Sequence, residues 1–166
     1  MLLQYSMDMI DNLSSNRELQ YLCYTTENPG VGGSTPPRAT MKINLLKSKI
    51  HRATVTDANL DYEGSIGIDS VLMEAAGIIE YEKVQVLNIT NGNRLETYAI
   101  KESPSTGIIC MNGAAAHLVN TGDIIIIVSY CSLNENELPD FKPTIVLVDN
   151  NNNIKKMSHS IDHSLN

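Results

Sequence analysis

From Met41 onward the chain is cut into short runs of Ile, Val, Leu and Thr, and this spacing limits the fold more than any other feature. The runs Lys42 to Leu46, Ile50 to Val55, Val84 to Ile89, Leu95 to Ile100, Ile108 to Met111, Ile124 to Ser129 and Thr144 to Val148 are strand-sized. Their β-branched side chains are stiff at χ1 and suit a pleated surface. Seven such strands are enough to close a small barrel. Asn91-Gly92 between two of the runs predicts a hairpin with a type I′ turn, which needs positive φ at both central residues. Two short helices fit between strands. Asp69-Ser70 can cap one that runs through Ala76 and stops at Gly77, and Asn112-Gly113 opens a second through Leu118, ending near Gly122.

The core of such a barrel must be aliphatic, because aromatics make up only 5% of the 166 residues, with no Trp and one Phe. That scarcity also argues against base-stacking platforms for single-stranded nucleic acid. The 12 basic and 19 acidic residues give a net charge of −7, a long-range field that repels phosphate backbones. Nucleic acid is therefore not expected as a partner. The longest apolar stretch, Ile124 to Val128, is far short of the roughly 18 residues that cross a bilayer, so no membrane span is expected. Cys23, Cys110 and Cys131 are odd in number and lack CxxC spacing, which predicts neither disulfides nor zinc and fits a reducing cytoplasm.

Residues 1–40 read as an extension that ends in a flexible linker, Asn28 to Pro37, rich in Pro, Gly, Ser and Thr. A short amphipathic helix is conceivable over Ser6 to Tyr24. Asp8 and Asp11 spoil a secretory signal, and Met41 directly after the linker makes the extension dispensable or an artefact of start-codon choice. The organisation expected is extension and linker over 1–40, barrel domain over 41–149 and a polar, frayed tail over 150–166.

Read singly, the chemical candidates are few. His51, His117, His159 and His163 show no metal spacing beyond the last pair, four apart in the polar tail. Gly64-Ser65-Ile66-Gly67 lacks the rest of a phosphate loop. Three polar clusters remain: Lys49-Ile50-His51-Arg52, Tyr62-Glu63-Gly64-Ser65, and Arg94 with Thr97-Tyr98. Strand alternation would put Lys49 and His51 on one face and Arg52 on the other. Cys110 and Cys131 read as core residues rather than nucleophiles.

Taken together, the clusters resemble a known family. The run from Lys49 to Asp69, Thr90-Asn-Gly-Asn-Arg94 with Thr97-Tyr98, and Asn112-Gly-Ala-Ala-Ala-His117 resemble, in order, the signatures of pyruvoyl-dependent aspartate 1-decarboxylases. The resemblance spans roughly 41–132.

It implies a mostly β fold, a small double-psi β-barrel with two short helices, assembled as a homotetramer with sites between subunits. It implies that the precursor is cut between Gly64 and Ser65: the Ser65 hydroxyl attacks the preceding carbonyl, and elimination and hydrolysis turn residue 65 into a pyruvoyl group. Gly64 suits this step because a residue without Cβ tolerates unusual backbone. The pyruvoyl group then holds L-aspartate as a Schiff base and does the work of pyridoxal phosphate, with no metal needed. By the same resemblance Tyr98 is the proton donor, and Arg94, Lys49, Thr97, Gly113, Ala114 and Ala115 bind substrate. His51, Tyr62 and Asn112 support the site, Asn112 equally as a helix cap. The expected product is β-alanine, for pantothenate and coenzyme A synthesis. Whether a maturation factor assists cleavage stays open. The rival readings are an unprocessed barrel that binds a small acid without catalysis, and the same chemistry on another acidic amino acid.

Overall fold

The computed structural model describes residues 41–160, and the helix considered over Ser6 to Tyr24 lies outside them. The strands are β1 (Lys42–Thr54), β2 (Asp57–Asn59), β3 (Ser65–Asp69), β4 (Lys83–Asn88), β5 (Arg94–Glu102), β6 (Ile109–Asn112), β7 (Ile124–Asn134), β8 (Thr144–Val148) and β9 (Ile154–Ser158). They form one mixed sheet in the order β2-β6-β3-β5-β4-β7-β1-β8-β9. Only Val55 and Thr56 separate β1 from β2, yet the two strands lie near opposite ends of that order. Two residues span about 7 Å, so the sheet must curl back on itself. The Thr56 N–H and hydroxyl both bond to the Ile109 carbonyl oxygen at this join.

The inside of the curl is aliphatic, as the composition requires. Ile50, Ile66, Ile68, Ile109, Met111, Ile125, Ile127, Val84, Val86 and Val146 are almost wholly buried. Each such side chain stabilises the fold by about 1.5–3 kcal/mol. Helix α1 (Ser70–Ala76) adds Leu72 and Met73 to this core. It starts where the Asp69 carboxylate accepts the Val71 N–H and ends at Gly77 in the left-handed conformation, φ 65°, as its sequence predicts. No helix among the described residues is long and apolar enough to cross a membrane.

Several elements differ from the sequence expectation. The first two runs are one strand, bent by irregularities at Leu46/Ser48 and His51/Ala53. At the second, Arg52 takes φ 64°, so Ala53 rather than Arg52 joins Ile50 inside while Arg52 stays in solvent. The β4–β5 hairpin exists, but its loop covers five residues, 89–93, and of Asn91 and Gly92 only Gly92 has positive φ. The loop is closed instead by the Asn88 side chain, whose oxygen accepts the Thr90 N–H. The second helix is a 3-10 helix over Gly113–Leu118. The tail does not simply fray: β9 pairs antiparallel with β8. Its Lys155 and Lys156 suit the edge position, where charge discourages further pairing.

Candidate active site

Strand β3 lies between β5, parallel to it, and β6, antiparallel. Ser65 pairs with Asn112, and Gly67 with Cys110, so these four residues share one face of the sheet. The printed β3–β5 register runs from Ile66 opposite Ala99. Continued back by one residue it brings Ser65 level with Tyr98, and by two it brings Gly64 level with Thr97. Ile66 and Ala99 face the core, so Ser65 and Tyr98 face away from it.

Residue 65 is held tightly. Ser65 is 1% exposed, and its φ of 151° lies where non-glycine residues are rare. Asn112 Nδ2 donates to Ser65 Oγ at 3.2 Å, and Asn112 Oδ1 accepts from Cys110 Sγ at 3.2 Å. Asn112 makes no side-chain cap bond to the 3-10 helix that follows; its amide faces Ser65 Oγ instead, a contact that the sequence did not predict. Gly113, with φ 59°, sits directly on the Gly64 backbone: a Cβ there would lie 2.7 Å from Gly64 N and Cα and 2.9 Å from the Tyr62 carbonyl oxygen. Only glycine fits that contact. Ala114 and Ala115 follow it in the 3-10 helix, which packs against β3 and β5. His117 lies in the last turn of the same helix and is exposed.

Asp69 closes the other end of β3. Burial alone would push its carboxyl up, but N–H groups of Gly107, Val71, Ser105 and Thr106 converge on it and hold it below the usual carboxylate range. The loop from β5 to β6 is thereby tied to β3, which fixes both partners of Ser65. The sequence marked Asp69 as a helix cap. Its second role depends on residues 36–38 positions away.

The other predicted residues are more dispersed. Tyr98 is 41% exposed and packs its ring against Tyr81, centroids 6.5 Å apart. Arg94 shares the outer face of β5 with Tyr98 but lies four residues away, about 13 Å along the strand at the usual rise. Thr97 points to the opposite, core-side face with Leu95 and Ala99. Tyr62 is exposed. Lys49 and His51 lie on the outer face of β1, which the order of the sheet separates from β3 by β7, β4 and β5. His51 Nδ1 is buried without a hydrogen-bond partner, and burial, then Lys49 and Arg52, pushes its pKa down. Among the described residues neither Lys49 nor Arg94 has an ion-pair partner. Within one chain Asn112 and Gly113 meet at the Gly64–Ser65 bond, Tyr98 and Thr97 lie on the neighbouring strand β5, and Arg94, Lys49 and His51 lie further along β5 or on β1.

The family model described as aspartate decarboxylase matches residues 41–155, beyond the blocks that carried the resemblance. Proteins named aspartate 1-decarboxylase match closely along this stretch. One from Clostridium botulinum (strain Langeland) is 58% identical over 123 residues, 74% of this chain and 97% of that protein. One from Caldicellulosiruptor saccharolyticus is 60% identical over 124 residues, 75% of this chain and 97% of that protein. One from Campylobacter jejuni (strain 81116) is 55% identical over 123 residues, 74% of this chain and 97% of that protein. The chain belongs to the aspartate decarboxylase family, enzymes of the carbon-carbon lyase class.

Proposed function

We propose that this chain cuts its own Gly64–Ser65 bond, converts residue 65 to a pyruvoyl group, and then decarboxylates L-aspartate to β-alanine and CO2. The observation that carries the self-cleavage is the setting of Ser65: a buried serine with φ 151° that accepts a hydrogen bond from Asn112 at the attacking oxygen. Backbone strain of this kind costs on the order of 1–3 kcal/mol and persists only where the surroundings impose it. Here the ladder to β6 and the close Gly113 contact impose it. Release of that strain favours an acyl shift from nitrogen to oxygen. A serine so enclosed fits as the precursor of the pyruvoyl group, since no larger side chain crowds the Gly64 backbone at Gly113.

The pyruvoyl group, once made, supplies an electron-accepting carbonyl that engages the substrate amine while CO2 departs. The chain's residues do the remainder. Tyr98, on the neighbouring strand and level with residue 65 when the register is continued, donates through its phenol O–H the proton that replaces the lost carboxylate. Arg94 and Lys49 bind the substrate carboxylates against the chain's net charge of −7. Thr97, Gly113, Ala114 and Ala115 line the substrate site, Thr97 through its backbone. Tyr62 and His51 support it.

The placement of Lys49 and His51 on β1 and of Arg94 four residues from Tyr98 along β5, on strands other than the one that carries Ser65, supports a homotetramer in which neighbouring subunits complete each other's sites. The exposed Tyr62, Ile79, Tyr81 and Tyr130 give such contacts apolar area. A reducing cytoplasm suits the free thiols of Cys110 and Cys131, and β-alanine made there would feed pantothenate and coenzyme A synthesis. The barrel domain runs over 41–149, and β9 beyond it extends the same sheet along the β8 edge.

Purified enzyme given L-aspartate should release CO2 and β-alanine in equal amounts. L-glutamate should turn over far more slowly, because one added methylene moves the distal carboxylate off its cation. Binding of aspartate without CO2 release would favour the non-catalytic barrel, and faster turnover of glutamate would reassign the substrate.

A further inference from the structure

Asn112 can donate to Ser65 Oγ only while its amide faces one way. Turned over, the same side chain would offer its carbonyl oxygen, accept the Ser65 proton and hold the hydroxyl as a donor. The observed orientation leaves the Ser65 proton free to depart as the oxygen attacks. The groups around the amide select it. Cys110 lies two residues before Asn112 on β6, on the same face, with Sγ 3.2 Å from Oδ1. A carbonyl oxygen facing a thiol gains a hydrogen bond, whereas an amide N–H₂ facing sulfur meets only a weak acceptor.

We propose that Cys110 is a positioning residue for self-cleavage: its thiol donates to Asn112 Oδ1 and so keeps Asn112 Nδ2 on the attacking oxygen of Ser65. Ser65 Oγ then bonds to the Gly64 carbonyl carbon, the Gly64–Ser65 C–N bond breaks, and the hydroxyl proton ends on the Ser65 nitrogen. The shift conserves every atom and needs no oxidant. The surroundings keep the thiol a donor. Burial raises its pKa, and the carboxylates of Asp57, paired beside it on β2, and Glu102, on β5, raise it further. Asp57 Oδ2, at 3.9 Å from Sγ, is a more distant acceptor than Asn112. Gly67, the cross-strand partner of Cys110, has no side chain to displace the thiol.

The inference rests on the self-cleavage reading, and the test separates the two. Full-length chain purified after brief cold expression is incubated, and the loss of precursor is followed by intact mass. Cys110→Ala should slow cleavage about tenfold, the scale of one lost ordering hydrogen bond. Cys110→Ser, which restores a donor, should recover the rate to within about twofold on the same grounds. Adding Cys110→Ala to Asn112→Ala should change nothing further, because the thiol acts through that amide. Melting curves in an uncleavable Ser65→Ala background separate slow cleavage from poor folding, and Cys110→Val, close in volume and without a donor, replaces alanine if a cavity destabilises the fold. Wild-type cleavage rate in Cys110→Ala, no recovery in Cys110→Ser, or a further slowing in the Asn112→Ala background would each overturn the assignment. A wild-type chain that never cleaves overturns the self-cleavage reading and this inference with it.

Discussion

The two halves of the candidate site are built in different ways. Around Ser65 the contacts are local to one chain and largely buried, though Gly64 itself is exposed: Asn112 on the hydroxyl, Cys110 on Asn112, Gly113 against the Gly64 backbone, and Asp69 tying down the next loop. The cations that would hold the substrate are spread over outer faces of β1 and β5, without ion-pair partners among the described residues. A step that strains a single peptide bond needs a rigid, desolvated setting, which one core can supply. Capture of a diffusing dicarboxylate needs accessible charge, and that charge can come from a neighbouring subunit. Maturation and turnover should therefore separate under mutation.

The largest effect is expected at the point where the halves meet. Ser65→Ala removes both the attacking oxygen and the source of the pyruvoyl group, so the protein should remain one chain by mass and release no CO2 from aspartate. Tyr98→Phe keeps the ring and loses the proton, so cleavage should proceed while kcat falls by about a hundredfold or more. If Tyr98→Phe blocked cleavage instead, the tyrosine would belong to the maturation half. Arg94→Ala should cleave normally and raise KM for aspartate about fiftyfold, a loss on the scale of one charge-assisted contact. A fall in kcat with KM unchanged would remove Arg94 from substrate binding.

Smaller effects test the rigidity of the buried half. Gly113→Ala drives a Cβ to 2.7 Å from the Gly64 backbone at a positive φ, so it should cost about 2 kcal/mol in denaturant melts and slow cleavage as well. Asp69→Asn should cost about 1–2 kcal/mol at neutral pH, with four N–H donors left facing a weaker acceptor. The folded carboxyl of Asp69 titrates below its ordinary range. Its contribution is therefore complete above the unfolded value of about 3.9 and fades as pH drops through the folded value. The stability gap between wild type and Asp69→Asn should narrow in acid. A gap that widened in acid would contradict the assigned role.

Much of this was legible in the sequence, for identifiable reasons. Strands β4 to β8 announce themselves by Ile, Val and Leu, and α1 by Asp69 at one end and Gly77 at the other. Strand β3 was not read from its residues, because Ser-Ile-Gly-Ile-Asp is five residues long with a glycine at its centre; it is a strand because β5 and β6 flank it. Strand β9 looked like tail because Ile-Lys-Lys-Met-Ser is mostly polar, and pairing at the sheet edge decides its fate. The residues around the cleavage bond came from matched blocks rather than from spacing. Alternation along β6 does place Cys110 and Asn112 on one face, but which face meets Ser65 depends on the register with β3, a long-range fact.

The most direct measurement is the intact mass of the purified protein under denaturing conditions. The account predicts two chains, one ending at Gly64 and one of 102 residues (166 − 64) that begins with a pyruvoyl group at position 65. A single full-length mass from protein that nevertheless releases CO2 from aspartate would contradict it.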